Sequence, residues 1–154
     1  MIRYAPAMQV FDGERDQKQI AALPHTVFFP CDRRDLVVCF YLPWSIKAAQ
    51  IEGAAVAIRL ITRFNTEAKC AGTPTRTTRL GSTTFVVLSP IVFRSSGHAS
   101  RDDIYRTLRD EGCWEIVVRL NTMDGDTLAN GIRPDQEGAL ALLERVRSTF
   151  RFVR

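Results

Sequence analysis

The residues best suited to chemistry lie in residues 22–43, which read ALPHTVFFPCDRRDLVVCFYLP. His25 and Cys39 could face each other across two strands, and an imidazole beside a thiol favours the nucleophilic thiolate. A zinc site needs about four ligands with short paired spacings, whereas His25, Cys31 and Cys39 are separated by gaps of five and seven residues. We therefore interpret the segment as a β-hairpin with a histidine at a strand end.

The four cysteines show no spacing typical of a metal or redox motif. They are Cys31, Cys39, Cys70 and Cys113, and no two of them form a C-x-x-C pair. Cys39 and Cys113 lie within or beside apolar runs. We expect the cysteines to be buried free thiols, which pack as small hydrophobic side chains.

Two segments carry residues that could bind an anion. Arg33 and Arg34 occupy the polar turn of the predicted hairpin, although a solvated turn is the preferred interpretation. His98 precedes a helix predicted to begin near Ser100, and the free N–H groups of helix N-termini attract anions. Because no glycine-rich phosphate motif accompanies His98, an ordinary capped loop is the preferred alternative.

Residues 65–82 and 121–133 are predicted to be long loops, and connecting segments often carry binding residues. The candidate contact residues in these loops are Arg76, Arg79, Asp124 and Asp126. The two aspartates have the alternate spacing of calcium ligands, but the later glycine and glutamate of a calcium-binding loop are missing. We therefore predict a turn there, with no metal and no cofactor.

The C-terminal sequence RVRSTFRFVR alternates arginine with phenylalanine. Such a pattern can bind single-stranded nucleic acid through charge and base stacking. It is also the pattern of a half-buried strand, which we favour because the net charge of +4 is small for a nucleic-acid-binding protein.

Length and composition indicate a globular protein. A chain of 154 residues fits one domain, and 45% hydrophobic and 25% charged residues are ordinary values. Only 3 of the 21 basic residues are lysine, and arginine suits interfaces and anionic ligands, although GC-rich codon usage explains the bias more simply. The N-terminus lacks the apolar stretch of a signal peptide, and no segment is apolar enough to span a membrane. We expect a soluble cytoplasmic protein, bacterial in type.

Hydrophobic periodicity predicts the elements that position these residues. Ser100 and Asp103 have capping-box spacing for a helix that ends at Gly112, and Pro134 begins a second helix. Residues 44–64 fit both a strand and a helix, and because glycine is unfavourable within a helix we divide them at Gly53, with a turn or short helix before it and a strand after it. The predicted strands are a short one ending at Asp12-Gly13, then 25–30, 35–43, 55–64, a long one over 83–95 bent at Ser89-Pro90, 113–121, and a short one near 150–154.

Consecutive strands before the first clear helix indicate an antiparallel sheet with helices packed on it. We therefore predict a single α+β domain over residues 1–154, built mainly from an antiparallel β-sheet with two or three helices. The exposed edge expected near Pro90 makes a homodimer compatible with this architecture.

Two patches, LLERVRSTFRFV (142–153) and VVCFYLPW (37–44), resemble the Mog1/PsbP-like α/β/α sandwich. Members of this structural group include binders of small GTPases, photosystem accessory subunits and bacterial immunity or lipoprotein-like domains. The resemblance implies a non-catalytic protein that presents a sheet face or loops to a partner, and it carries over no functional residue.

Two hypotheses of function follow. The first is a non-enzymatic protein-binding module, such as an accessory, immunity-type or regulatory factor, whose partner is another protein and not nucleic acid or a membrane. Arginine and aromatic residues anchor many interfaces, and no catalytic constellation is evident. The alternative is a small-ligand-binding protein or small enzyme with a pocket between the sheet and its helices, in which His25 or His98 titrates.

Overall fold

Most of the chain forms strands, because β-branched and other apolar residues alternate through long segments. The computed structural model describes residues 8–22, 31, 35–42, 51–110, 112–123 and 134–152. These residues form an eight-stranded antiparallel sheet and three helices, which confirms the predicted α+β class. The elements are β1 (Gln9–Asp12), α1 (Gln17–Ala22), β2 (Leu36–Leu42), β3 (Ile51–Ile61), α2 (Glu67–Ala71), β4 (Pro74–Leu80), β5 (Thr83–Leu88), β6 (Ile91–Ser95), β7 (His98–Arg109), β8 (Gly112–Thr122) and α3 (Pro134–Ser148).

The strand order is β1-β2-β3-β8-β7-β5-β4, and β6 pairs with β7 beside this path. β5 and β6 are one run of chain interrupted at Ser89-Pro90, as predicted. They pair with successive parts of β7 along one edge, because β8 occupies its other edge. Among the described strands, β6 therefore has a neighbour on one side alone.

The register divides the side chains of the sheet between two faces of different chemistry. The helix face packs against α3 and forms the main hydrophobic core, which includes Val56, Phe85, Ile116 and Leu143. The charged face carries five ionisable residues of β3, β7 and β8: Arg59, Asp102, Arg106, Glu115 and Arg119. A helix thus packs on the apolar face, and charge gathers on the other.

The helix predicted from Ser100 to Gly112 is wrong, because this segment is strand β7. Asp102 and Arg106 have the four-residue spacing of a helical ion pair, but each forms its ion pair with a residue of the neighbouring strand. Asp102 pairs with Arg119, and Arg106 pairs with Glu115, both on β8. Pairing along the full length of β8 outweighs the local capping signal.

Residues 65–82 are also not one long loop, since α2 and β4 lie within them. β4 is an edge strand whose threonines and arginines face solvent, so it lacks the apolar alternation that marks a buried strand. β3 begins at Ile51 and runs through Gly53, where the ring of Tyr41 lies 3.4 Å from the position of a Cβ. Gly53 therefore lies beside a cross-strand aromatic ring and does not end the strand.

The predicted C-terminal edge strand is absent from the described residues 149–152. Phe150 is buried instead and meets Phe85 edge to face, with ring centroids 6.1 Å apart. Phe152 packs on Trp114 at 5.2 Å. Both phenylalanines of the RSTFRF sequence therefore belong to the core and its border, where they are not displayed for stacking on bases.

The cysteines are paired, which corrects the expectation of free thiols. Cys31 is bonded to Cys39 and Cys70 to Cys113, and all four are buried. The second bond ties α2 to the first residues of β8. Cys39 therefore has no thiol for the alternative pairing with His25, a residue that lies outside the described ones.

Two carboxylates hold the turn at Asp12-Gly13, which the sequence predicts correctly. One Asp12 oxygen accepts hydrogen bonds from the backbone N–H groups of Glu14 and Arg15, at 3.0 and 2.9 Å. Asp16 accepts from the N–H of Asp12 at 2.8 Å and from the Arg15 guanidinium. The Arg15 side chain first, and the Asp12 N–H second, lower the pKa of Asp16 to about 2.

We expect Asp16→Asn to weaken the acid sensitivity of the fold. A carboxyl group whose pKa is depressed in the folded state contributes stability above its unfolded pKa, near 3.8, and loses it as the pH falls towards 2. Urea unfolding at about pH 6 and about pH 2.5 measures this loss, which should be smaller in Asp16→Asn than in the wild type. Asp110→Asn, at an exposed carboxylate, is the control and should leave the loss unchanged. An identical loss in Asp16→Asn would contradict the assignment.

Candidate functional site

Strand β6 presents three consecutive large apolar side chains to solvent. Ile91 and Val92 are each 40% exposed and Phe93 is 39% exposed. Single exposed apolar residues are common on protein surfaces, whereas a contiguous patch marks an interface. We call residues 91–95 the edge strand.

The backbone of the edge strand is oriented for pairing on its outer side. Ser96 and Gly97 have φ angles of 51° and 82°, which is the type I′ geometry of a two-residue hairpin turn. In such a hairpin the closing pair, Ser95 and His98, exchanges both backbone hydrogen bonds, and every second pair beyond it does the same. Val92 and Arg94 consequently direct their N–H and C=O groups towards the outer edge, where no described strand pairs with them.

Beside the edge strand, the charged face contains two buried clusters of ion pairs. Arg119 donates two hydrogen bonds to the carboxylate of Asp102, and both side chains are almost inaccessible to solvent, at 5% and 6%. Glu115 forms an ion pair with Arg59 through Oε1, and its Oε2 accepts a hydrogen bond from Arg106 Nε at 2.6 Å. Buried charges require such partners because desolvation is costly.

A cavity of about 130 Å³ separates these clusters from the edge strand. It has room for a few small atoms or ordered waters, which is less than a typical ligand pocket requires. The lining residues come from four strands: Arg59, Ile91, Phe93, Asp102, Ile104, Arg106, Glu115, Val117 and Arg119. The inward sides of Ile91 and Phe93 therefore border the charged face, while 40% and 39% of their surfaces remain exposed.

The three predicted site residues that the structure describes do not lie in one place. Arg76 and Arg79 are exposed on β4, at the far edge of the sheet. His98 begins β7 beside the tip of the β6–β7 hairpin. The remaining candidates, Arg33, Arg34, Asp124 and Asp126, lie outside the described residues.

His98 is not at a helix N-terminus, because the residues that follow it form strand β7, so the anion hypothesis loses the helix on which it depended. Its Nδ1 atom lies 2.8 Å from Glu52 Oε2, and both side chains are partly exposed. Its backbone belongs to the β6–β7 hairpin, which leaves no cluster of free N–H groups for a phosphate. The Glu52–His98 pair instead joins β3 to β7 near the hairpin tip.

No protein-family model, curated protein or solved structure matches this chain. Within the described ranges, no helix is both long enough and apolar enough to cross a membrane. The same ranges hold no group of three or more side chains able to ligate a metal ion. The assignment of function therefore depends on the geometry of the surface and its cavities.

The sequence predicts an exposed edge near Pro90, but it does not identify Ile91, Val92 and Phe93 as candidate binding residues. Ile91, Val92 and Phe93 continue the apolar run of β5, and a continuous apolar run is typical of a strand buried on both faces. Pro90 is the residue that signals otherwise, because proline is confined to edges and bulges of sheets. Pro90 predicts the bend correctly. The exposure of the three side chains that follow it depends on how far strand β4 extends.

Proposed function

We propose that this protein is a non-enzymatic protein-binding module that recruits an extended segment of a partner protein onto the edge strand. The observation that carries the proposal is the row of exposed Ile91, Val92 and Phe93 on a strand that has one paired edge. Exposed apolar edge strands associate readily with other chains, and proteins that avoid such association protect these edges.

Strand addition supplies both affinity and selectivity at such a surface. The N–H and C=O groups of Val92 and Arg94 offer four backbone hydrogen bonds to an incoming strand, and the alternating side chains of that strand would pack beside Ile91 and Phe93 on one face. Arg94 and the net charge of +4 favour a partner segment that carries acidic residues between its apolar ones. The occupant is therefore an acidic, partly apolar segment of another protein.

The Mog1/PsbP-like resemblance is compatible with protein binding in general, since it implies a non-catalytic protein that presents a sheet face or loops to a partner. The location predicted from the sequence, the cytoplasm, stays a prediction. Accessory, immunity-type and regulatory roles are all compatible with strand addition, and the identity of the partner distinguishes them.

We expect Val92→Pro to weaken partner binding by about 10-fold or more, because it removes one outward N–H and places a ring at the open edge. The substitution leaves the β6–β7 ladder intact, since Val92 does not donate to it. Native mass spectrometry of the protein, gently purified from its own cells, identifies the bound polypeptide. The affinity of the purified partner is then measured for each variant.

Val92→Thr is the matched control, because threonine is β-branched and keeps the N–H group. It should bind the partner almost as well as the wild type.

Hydrogen exchange gives an independent readout, since the amides of Val92 and Arg94 should become protected when the partner is added. Equal affinity for Val92→Pro and Val92→Thr, or unchanged exchange at both amides, would contradict the proposal. A mass of twice the chain, abolished by Val92→Pro, would assign the edge to a second copy and overturn the proposal of a separate partner protein.

A further inference from the structure

A second and larger cavity lies on the charged face, away from the edge strand. It has a volume of about 440 Å³ and separates α2 from β4, β5 and β7. This volume is within the range of small-molecule sites. Its lining comprises Glu67, Cys70, Ala71, Thr77, Thr84, Val86, Arg106, Thr107 and Leu108. We call this cavity the α2 pocket.

Arg106 is the one cation in the lining of the α2 pocket. Its Nε donates to Glu115, and its guanidinium carbon lies 5.3 Å from the centre of the Phe64 ring. Neither terminal amino group of Arg106 takes part in a hydrogen bond within the described part of the chain. The side chain is thus held in place through one nitrogen, while four N–H bonds remain for a ligand.

The surroundings of Arg106 favour an added negative charge. Glu115 is shared, because its other oxygen forms an ion pair with Arg59. Burial lowers the pKa of Arg106, which shows that the protonated form is poorly solvated at this position. A carboxylate or phosphate group on the terminal amino groups would supply charge-assisted hydrogen bonds, and these are among the strongest that proteins form.

The rest of the pocket suits a small organic anion. Val86, Leu108 and Ala71 supply apolar contacts, and the hydroxyl groups of Thr77 and Thr84 supply donors and acceptors. Gly72 borders the same guanidinium, since a Cβ at this position would lie 3.5 Å from Arg106 Nη1. Glu67 is the one carboxylate of the lining and disfavours a ligand with a second negative group beside α2.

We propose that the α2 pocket binds a small organic anion with a single acidic group, a carboxylate or a phosphate, that pairs with the terminal amino groups of Arg106 while its apolar part contacts Val86 and Leu108. The α2 pocket shares Arg106, but no other lining residue, with the small cavity beside the edge strand, and binding of a ligand there does not require the partner protein. The Cys70–Cys113 bond fixes α2 to the sheet and so preserves the pocket in the absence of ligand.

Titration of the full chain with hexanoate tests the proposal, with neutral hexanamide as the matched probe. Two-dimensional amide NMR should show saturable shifts at residues of α2, β4 and β5 with hexanoate, and binding of hexanamide should be at least about 10-fold weaker. Hexyl phosphate, titrated in parallel, distinguishes the two anionic groups by relative affinity. Equal binding of hexanoate and hexanamide, or shifts confined to other parts of the sheet, would overturn the proposal.

Variants locate the anion. Arg106→Met should weaken hexanoate binding by about 10-fold or more. Because Arg106 also pairs with Glu115 and its loss could unfold the chain, Thr84→Glu provides a second test by placing a carboxylate in the pocket wall. Ser82→Glu adds the same charge outside the lining and should bind hexanoate like the wild type. Undiminished hexanoate binding by Thr84→Glu would overturn the proposal even if Arg106→Met does not fold.

Discussion

Replacing Cys70 and Cys113 together by alanine is expected to lower the free energy of unfolding by about 4 kcal/mol. Their bond joins residues 43 positions apart, and a crosslink removes more conformational entropy from the unfolded chain when its loop is longer. Because both side chains are buried, the two alanines also leave a small unfilled volume in the core. The loss is a large fraction of the total stability of an ordinary domain.

The Cys31–Cys39 bond closes a loop of eight positions, so its removal is expected to cost less, about 2.5 kcal/mol. Urea unfolding of the wild type and of the two double-alanine variants measures both effects in one series. Addition of dithiothreitol should destabilise the wild type and should leave a chain without cysteines unaffected. The pairing is contradicted if dithiothreitol does not change the unfolding midpoint of the wild type.

Mass spectrometry of the intact chain gives a direct check, because each disulfide removes two hydrogen atoms from the chain. Disulfides persist mainly in oxidising compartments, whereas the sequence predicts a cytoplasmic protein. Alkylation of thiols in intact host cells before lysis therefore tests the pairing and the predicted location together. Four alkylated cysteines would show that the bonds do not form in the cell.

The parts of the fold that could be predicted are those in which one face of a strand or helix is apolar. β2, β3 and β8 have strong β-branched and apolar runs, and each was predicted as a strand, although β3 begins earlier than expected. The breaks at Asp12-Gly13 and Ser89-Pro90, and the start of α3 at Pro134, follow from the conformational preferences of proline and of turn residues.

The parts that could not be predicted depend on partners that are distant in sequence. β7 was read as a helix because Ser100 and Asp103 have capping-box spacing and Gly112 is a favourable helix end, whereas the partners of Asp102 and Arg106 on β8 are 17 and 9 positions away. Likewise, four cysteines permit three pairings, and the spacing within the chain does not select among them. The exposure of the edge strand and the position of Arg106 in the α2 pocket arise only once β4, β5 and β7 are assembled.

Arg119→Met is expected to lower the free energy of unfolding by about 3–5 kcal/mol. The substitution leaves the carboxylate of Asp102 in a buried position without the two hydrogen bonds that the guanidinium donates. A buried charge that loses its partner retains its full desolvation cost, which explains why the loss exceeds the net value of the pair. Urea unfolding at neutral pH measures it.

Arg63→Met is the matched control, because Arg63 pairs with Asp35 at 3.0 Å on the surface, where its side chain is 67% exposed. Surface pairs contribute about 0–1 kcal/mol, so the control should be nearly neutral. A cost for Arg119→Met no larger than that of the control would contradict the buried pairing.

The double variant Asp102→Leu/Arg119→Met separates the pair from the other contacts of its members. With both charges removed, apolar side chains of similar size occupy the charged face, and we expect most of the stability lost in Arg119→Met to be recovered. The coupling energy from the full cycle of single and double variants then isolates the interaction between the two residues. Recovery would mean that the fold tolerates apolar side chains at these two positions. The ion pair would then be retained for a reason other than stability, such as the polar surface that it places beside the edge strand. Failure to recover would mean that Arg119 stabilises the sheet through contacts beyond Asp102.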